Sequence, residues 1–178
     1  LEGYTNLYSV TNNRVVGERL KELIYTFYNK IYDKEQHLLK IFFDSEWNTI
    51  IDVKSYGHDI EASWLIDDAY KALNLKDESI EKMIIDIAYN IKAQIQEDGS
   101  LINESENGVK DYTRVWWVQV EAMVGYLNAY ERTHDESFLN IVNNLMTYTM
   151  KNMVDPREGG EWFWSIEPNG QPTERRVV

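Results

Sequence analysis

His58 and Glu61 stand three residues apart at what reads as a helix start after Gly57, which places an imidazole and a carboxylate on one helical face. An imidazole with an ordinary pKa of about 6.5 takes or gives a proton at neutral pH, and a neighbouring carboxylate can fix its tautomer or raise its basicity. The pair is an acid/base unit on this reading. On the other, Glu61 compensates the amino-terminal amides of the helix and His58 is simply packed. Trp117 and Glu121 form a second constellation, four residues apart on one face with Gln119 off to the side. An indole ring covers the apolar face of a sugar while a carboxylate takes its hydroxyls, although tryptophan at helical spacing also serves as core. Trp162 and Trp164 alternate along a presumed strand, so at most one is expected to reach a cavity and the other to pack.

Other chemistries have little support. There is no cysteine, which excludes disulfides, thiolate catalysis and cysteine-ligated metals. His37 and His134 lie in polar surroundings and no histidine pair has the spacing of a zinc site, so no metal and no cofactor are expected. Glu104-Ser105-Glu106-Asn107-Gly108 carries calcium-compatible oxygens but reads as a solvated loop. Neither a phosphate-cradling glycine loop nor a Gly-x-Ser-x-Gly elbow occurs.

The elements that must position these groups follow from periodicity. Val16, Leu20, Leu23, Ile24, Phe27 and Ile31 mark one face of a helix from Val15 to Ile31. Leu38 to Val53 reads as extended chain and turns that deliver His58 to a helix ending near Leu73. Ile80, Met83, Ile84, Ile87, Ile91 and Ile95 mark the next helix, which stops before Asp98-Gly99. Glu97 to Asp111 is a polar loop, Val115 to Thr133 and Glu136 to Met150 form a second helix pair, and Asp155-Pro156 ends the helices. Glu161 to Ile166 reads as a strand before the turn at Pro168-Asn169-Gly170.

An internal repeat supports this order. Glu61-Ala62 and Ala69-Tyr70 recur as Glu121-Ala122 and Ala129-Tyr130, and Asp77-Glu78-Ser79 recurs as Asp135-Glu136-Ser137. Glu2 lies a similar distance before Glu61 and reads as the start of a third copy. Helical hairpins at this period suit an α/α toroid, in which inner helices line a cavity and outer ones cover them. With 178 residues, 43% of them hydrophobic, the chain can form one sizeable core. The 18 basic and 30 acidic residues give a net charge of −12, which disfavours nucleic acid and anionic membrane surfaces and favours a neutral ligand. No apolar run approaches the roughly 20 residues needed to span a bilayer, and the composition is compatible with the cytoplasm.

Ser55-Tyr56-Gly57-His58-Asp59-Ile60-Glu61-Ala62-Ser63-Trp64-Leu65 and Trp116-Trp117-Val118-Gln119-Val120-Glu121-Ala122 resemble segments of the N-acylglucosamine 2-epimerase superfamily, and the first resembles its cellobiose 2-epimerase branch. The resemblance runs from Tyr4 to Trp164. It implies an all-α fold in which residues 1–178 are part of an (α/α)6 barrel, about three of its six helical hairpins, with a short β-like segment near the C-terminus. It implies cofactor-free epimerisation at C2 of the reducing-end glucose of a β-1,4-linked disaccharide. In that assignment His58 is an acid/base histidine and Glu61 its sugar-contacting neighbour. Trp117 is a stacking platform, Glu121 a hydroxyl ligand, and Trp116 and Gln119 are neighbours in substrate binding. Further family residues, a second acid/base histidine among them, have no counterpart in the sequence, so these 178 residues alone are expected to be inactive, with inner-helix apolar surface left open. Two other readings remain: a toroid-fold glycoside hydrolase using Glu61 and Glu121 as its paired carboxylates, and a noncatalytic helical module that binds oligosaccharide or protein.

Overall fold

The computed structural model describes residues 1–173. Six α-helices form three consecutive hairpins: α1 (Glu2–Thr11) with α2 (Arg14–Thr26), α3 (Tyr56–Ala72) with α4 (Glu78–Ile91), and α5 (Trp116–Thr133) with α6 (Glu136–Asn152). The first member of each hairpin packs against the first member of the next, giving an inner row α1-α3-α5 backed by α2, α4 and α6. This is part of an (α/α)6 barrel. None of the described helices is long and apolar enough to cross a membrane.

The outer helices form where apolar residues recur on one face. In α4 the buried residues are Ile80, Met83, Ile84, Ile87, Ala88 and Ile91, while Lys82 and Asp86 pair on the solvent side. Each outer helix begins at an Asx cap. Asn13 accepts from the amides of Val15 and Val16, Asp77 from Ser79, and Asp135 from Ser137. A tyrosine of the preceding outer helix reaches the two aspartates: Tyr25 donates to Asp77 at 2.7 Å and Tyr89 to Asp135 at 2.9 Å. The repeat read from Asp77-Glu78-Ser79 and Asp135-Glu136-Ser137 is therefore a repeated joint between neighbouring hairpins.

The inner helices are buried on more sides, and α3 presses on α5 at two glycines. A Cβ on Gly125 would lie 2.5 Å from Ile60 Cγ1 and 2.9 Å from the Ile60 carbonyl oxygen, and one on Gly57 would lie 2.7 Å from the Trp117 ring. Both helices are led in by strands. β5 (Val53–Ser55) runs directly into α3 and forms an antiparallel sheet with β6 (Glu104–Glu106) and β7 (Val109–Asp111). β8 (Arg114–Val115) runs into α5 and pairs with β9 (Ser165–Ile166). Shorter pairs, β1 (Tyr32–Asp33) with β2 (Leu38–Leu39) and β3 (Phe42–Phe43) with β4 (Thr49–Ile51), fill the connection between α2 and α3.

Four expectations change. The amino terminus is helical from Glu2, so the third repeat copy is an inner helix. The helix expected from Val15 to Ile31 is α2 followed by a widened π turn at Phe27–Ile31. The polar loop from Glu97 to Asp111 contains the β6–β7 hairpin, closed by Asn107-Gly108 with φ of 49° and 79°, the left-handed pair that a two-residue hairpin turn needs. The strand expected over Glu161 to Ile166 is reduced to Ser165–Ile166, with Trp162 bridging Val154. Trp162 and Trp164 consequently both present to Trp116, edge-on at 6.3 and 6.4 Å, rather than facing apart.

Candidate functional site

The site lies at the amino-terminal turn of α3. Ser55 occupies the N-cap position, yet its side chain makes no capping bond. Its hydroxyl sits 2.7 Å from His58 Nδ1 instead, three residues on. The imidazole's partner is thus Ser55 and not the Glu61 that the spacing offered. With Nδ1 engaged, Nε2 is the nitrogen left for chemistry. The ring is solvent-exposed and lies 4.8 Å from the Trp117 ring at 55°. Gly57 makes this approach possible, because any larger residue would occupy the space of the indole.

Glu61 projects one turn further along and is partly buried. Its carboxyl is held above the usual range by desolvation and then by the negative charges of Glu121 and Glu2, against the opposing influence of His58. Glu61 therefore feels the two glutamates that recur with it in the sequence repeat, from the inner helices on either side. Glu121 is fixed by a residue that pattern reasoning did not single out: Trp64 Nε1 donates to Glu121 Oε2 at 2.9 Å, across from α3 to α5. Trp64 lies three residues after Glu61, the i+3 spacing that puts it on the same face.

His58 and Glu61 border a cleft of about 410 Å³. Its other walls come from the π turn (Phe27, Ile31), the segment between β2 and β4 (Leu39, Lys40, Ile41, Phe43, Trp47) and α3 itself (Asp59, Ala62, Leu65). An aromatic and aliphatic lining that also carries Lys40, His58, Asp59 and Glu61 suits a ligand that has apolar faces and hydroxyl edges. Asp59, between His58 and Ile60 in sequence, is only 1% exposed. Burial pushes its carboxyl up to about 7, with the Leu39 amide and Lys54 pulling the other way.

Two expected ligand contacts are corrected. Gln119 is fully buried, and its side-chain amide pairs with the Leu101 backbone, accepting from the amide at 2.8 Å and donating to the carbonyl at 2.7 Å. It acts as a surrogate strand and offers nothing to a ligand. Trp116, partly buried, packs against Tyr148, Met153 and Ile166 and lies edge-to-face with Trp162 and Trp164, so it anchors the carboxy-terminal segment. Trp117 and Glu121 are partly buried beside His58 and Trp64.

A family model described as N-acylglucosamine 2-epimerase (GlcNAc 2-epimerase) matches residues 1–177. The chain belongs to the N-acylglucosamine 2-epimerase family. Within it, the cellobiose 2-epimerase of Dictyoglomus turgidum is 42% identical over 175 residues, covering 97% of this chain and 45% of that protein. The solved cellobiose 2-epimerase of Bacillus thermoamylovorans superposes with a TM-score of 0.97 at 56% identity, over 99% of this chain and 46% of that one. The chain thus spans less than half the length of each. An unsaturated glucuronyl hydrolase specific for heparin shares the fold at a TM-score of 0.67 and 16% identity, over 91% of this chain and 46% of its own. The inner row α1-α3-α5 is consistent with part of the epimerase family's barrel, and Leu7 and Val10 on α1 and Val124 and Leu127 on α5 are exposed.

Proposed function

We propose that the protein containing these residues is a sugar 2-epimerase that acts at C2 of the reducing-end glucose of a β-1,4-linked disaccharide such as cellobiose, giving the mannose epimer. The observation that carries this reading is His58: its Nδ1 is held by Ser55, its other nitrogen is free, and it borders the cleft beside Glu61. The names of the 42% and 56% identical relatives support the substrate class.

In the proposed reaction the sugar ring opens, His58 Nε2 takes the C2 proton, and the C–H electron pair forms the C1–C2 double bond as the aldehyde oxygen takes the negative charge, giving an enediolate. A second acid on the opposite face then delivers a proton to C2 and inverts it. That second carrier comes, on this reading, from parts of the protein outside these residues, and the 178-residue polypeptide alone is inactive. Glu61, whose carboxyl is raised by desolvation and by the charge of Glu121, hydrogen-bonds a hydroxyl near the reacting carbon. Trp117 covers an apolar sugar face and Glu121, oriented by Trp64, takes a further hydroxyl. On this reading the proton transfers need no cofactor, and His58 is the carrier that these residues contribute. Residues 1–178 form part of a single barrel domain, and a cytoplasmic location fits the absence of cysteine.

The test is proton NMR of cellobiose in D2O with the whole protein. Deuterium at C2 together with a mannose-type reducing end is expected. Free glucose would replace this reading by the paired-carboxylate hydrolase, and saturable binding without exchange by the noncatalytic module.

A further inference from the structure

We infer that Asp59 is a positioning residue, whose carboxylate latches the wall of the sugar cleft to the helix that carries His58. The inference rests on the epimerase reading for the identity of the ligand. Asp59 Oδ1 accepts from the Leu39 amide at 2.6 Å, in a fully enclosed setting, across 20 positions of sequence. The wall that Leu39 begins continues through Lys40 and Phe43 to Trp47.

This wall has little to hold it in place. β2, β3 and β4 are two or three residues long, and Phe42, Ile50 and Ile51 on the β3–β4 hairpin are exposed. Strands that short do not sustain an arrangement by themselves. The hairpin tip is also shaped at a cost: Trp47 has a φ of 68°, a left-handed conformation rare for a bulky residue, imposed by a turn in which Asp44 accepts from the amides of Glu46 and Asn48. The ring thereby reaches the cleft that His58 and Glu61 border. Two backbone donors tie the start of the wall to the helical body, Leu39 to Asp59 and Lys40 to the Ile31 carbonyl at 2.9 Å. Of the two, the Asp59 tie joins the wall directly to the residue next to His58, so this carboxylate couples the aromatic wall to the proton-transfer group.

The identity of the residue supports a latch over a filler. Asp59 Oδ2 is buried without a protein partner, a cost that an apolar residue of the same size avoids. Within the core, a leucine would serve packing better. What only an acceptor at this position supplies is the bond to Leu39.

Hydrogen exchange on the whole protein, together with the kinetics of Asp59→Asn and Asp59→Leu, tests the inference. In the unaltered protein the Leu39 amide is expected to exchange at least tenfold more slowly than the amide of exposed Ile50. Asp59→Asn retains an acceptor oxygen and is expected to keep Leu39 protection and a KM for cellobiose within threefold. Asp59→Leu is expected to lose the protection and raise KM about tenfold, with kcat changed less than KM. An Asp59→Leu protein that does not fold leaves the decision with Asp59→Ala and with the unaltered protein's Leu39 exchange. Fast Leu39 exchange in the unaltered protein overturns the latch, as does equal protection in the Asn and Leu variants. Lost protection with unchanged KM overturns the positioning role. Absence of C2 exchange in the unaltered protein strikes the epimerase reading instead, and the Leu39 exchange arm still decides the latch.

Discussion

The outer and inner helices of this half-ring begin in different ways. At the starts of α2, α4 and α6 the side chains of Asn13, Asp77 and Asp135 take the first free amides, so each start is completed by residues within three positions of it. The starts of α3 and α5 have no side-chain cap. Their first amides donate to distant carbonyls, Tyr56 to Asn103 at 3.3 Å and Trp116 to Trp164 at 3.1 Å. An outer start is therefore a local device for stability. An inner start is placed by loops of neighbouring hairpins, which leaves the N-cap hydroxyl of Ser55 available to orient His58. Changes at inner starts should alter chemistry first, and changes at outer starts should alter stability alone.

The largest expected effect is at the inner start. His58→Ala, in the whole protein, should lower C2 proton exchange by roughly 10²–10⁴-fold, the usual contribution of a general acid/base group. Because His58 is exposed, the melting temperature should change little. Exchange within tenfold of the unaltered protein, followed by NMR in D2O, would break the distinction between the two kinds of helix start at its most important point.

One aspartate from each ring, Asp59 and Asp135, titrates in the opposite direction to the other, which gives a sharper comparison. Asp59 of the inner ring is raised from 3.8 to about 7 by burial, whereas Asp135 of the outer ring is lowered to about 2, first by its bond with the Ser137 side chain. For Asp59 the folded state holds the proton more tightly than the unfolded state. Its contribution is therefore favourable below pH 4 and lost as pH rises towards 7, on the order of a few kcal/mol for a shift of this size in a buried group. For Asp135 the folded state prefers the charge, and its contribution is present above pH 4 and lost as pH falls towards 2. Denaturant unfolding across pH should show Asp59→Asn gaining on the unaltered protein between pH 4 and 7. Asp135→Asn should converge with the unaltered protein below pH 3. Parallel curves for Asp59→Asn would mean that the carboxyl is not desolvated as the inner packing requires.

How much of this could be read in the sequence follows the same division. The outer helices were legible because their apolar period and their Asp-x-Ser starts are local signals, and the repeat joining Asp77 to Asp135 was visible without coordinates. That His58 shares a helix face with Glu61, and Trp117 with Glu121, followed from i+3 and i+4 spacing. What they bond to did not, because Trp64 meets Glu121 across 57 positions and the Asp59 partner lies 20 positions back. The partners of Gln119 and Trp116 were hidden for the same reason: Leu101 and the Trp162–Trp164 segment belong to loops whose paths no local pattern specifies. The β6–β7 hairpin was different, since Asn107-Gly108 is a local turn signal present in the sequence and passed over in favour of its polarity.

Gly125 tests the inner packing that these long-range contacts depend on. A methyl group there collides with the Ile60 side chain at 2.5 Å and with its backbone oxygen at 2.9 Å, and the backbone atom cannot rotate away. Gly125→Ala should destabilise by about 1–3 kcal/mol, the range for overpacking, and should also weaken cellobiose binding by parting His58 on α3 from Trp117 on α5. A stability loss with unaltered KM would show that the α3–α5 spacing can widen away from the site while His58 and Trp117 stay together.

The smallest effects are expected at the outer caps, and their value is that they should be small in a particular way. Asp77→Ala removes the acceptor of the Ser79 amide and of the Tyr25 hydroxyl, and Asp135→Ala removes those of the Ser137 amide and the Tyr89 hydroxyl. Each should cost about 1 kcal/mol of unfolding free energy by loss of the cap. The two sites share no partner, so the double variant should be additive within about 0.5 kcal/mol. KM and kcat for cellobiose should stay within twofold throughout, because neither aspartate touches the inner row's site. Tyr25→Phe and Tyr89→Phe, which keep the caps and delete only the joints between hairpins, should cost less than the aspartate variants. Should a tyrosine variant shift KM while its aspartate counterpart does not, the joint would be transmitting position from the outer ring to the inner one, and the separation of stability from chemistry would fail at that hairpin.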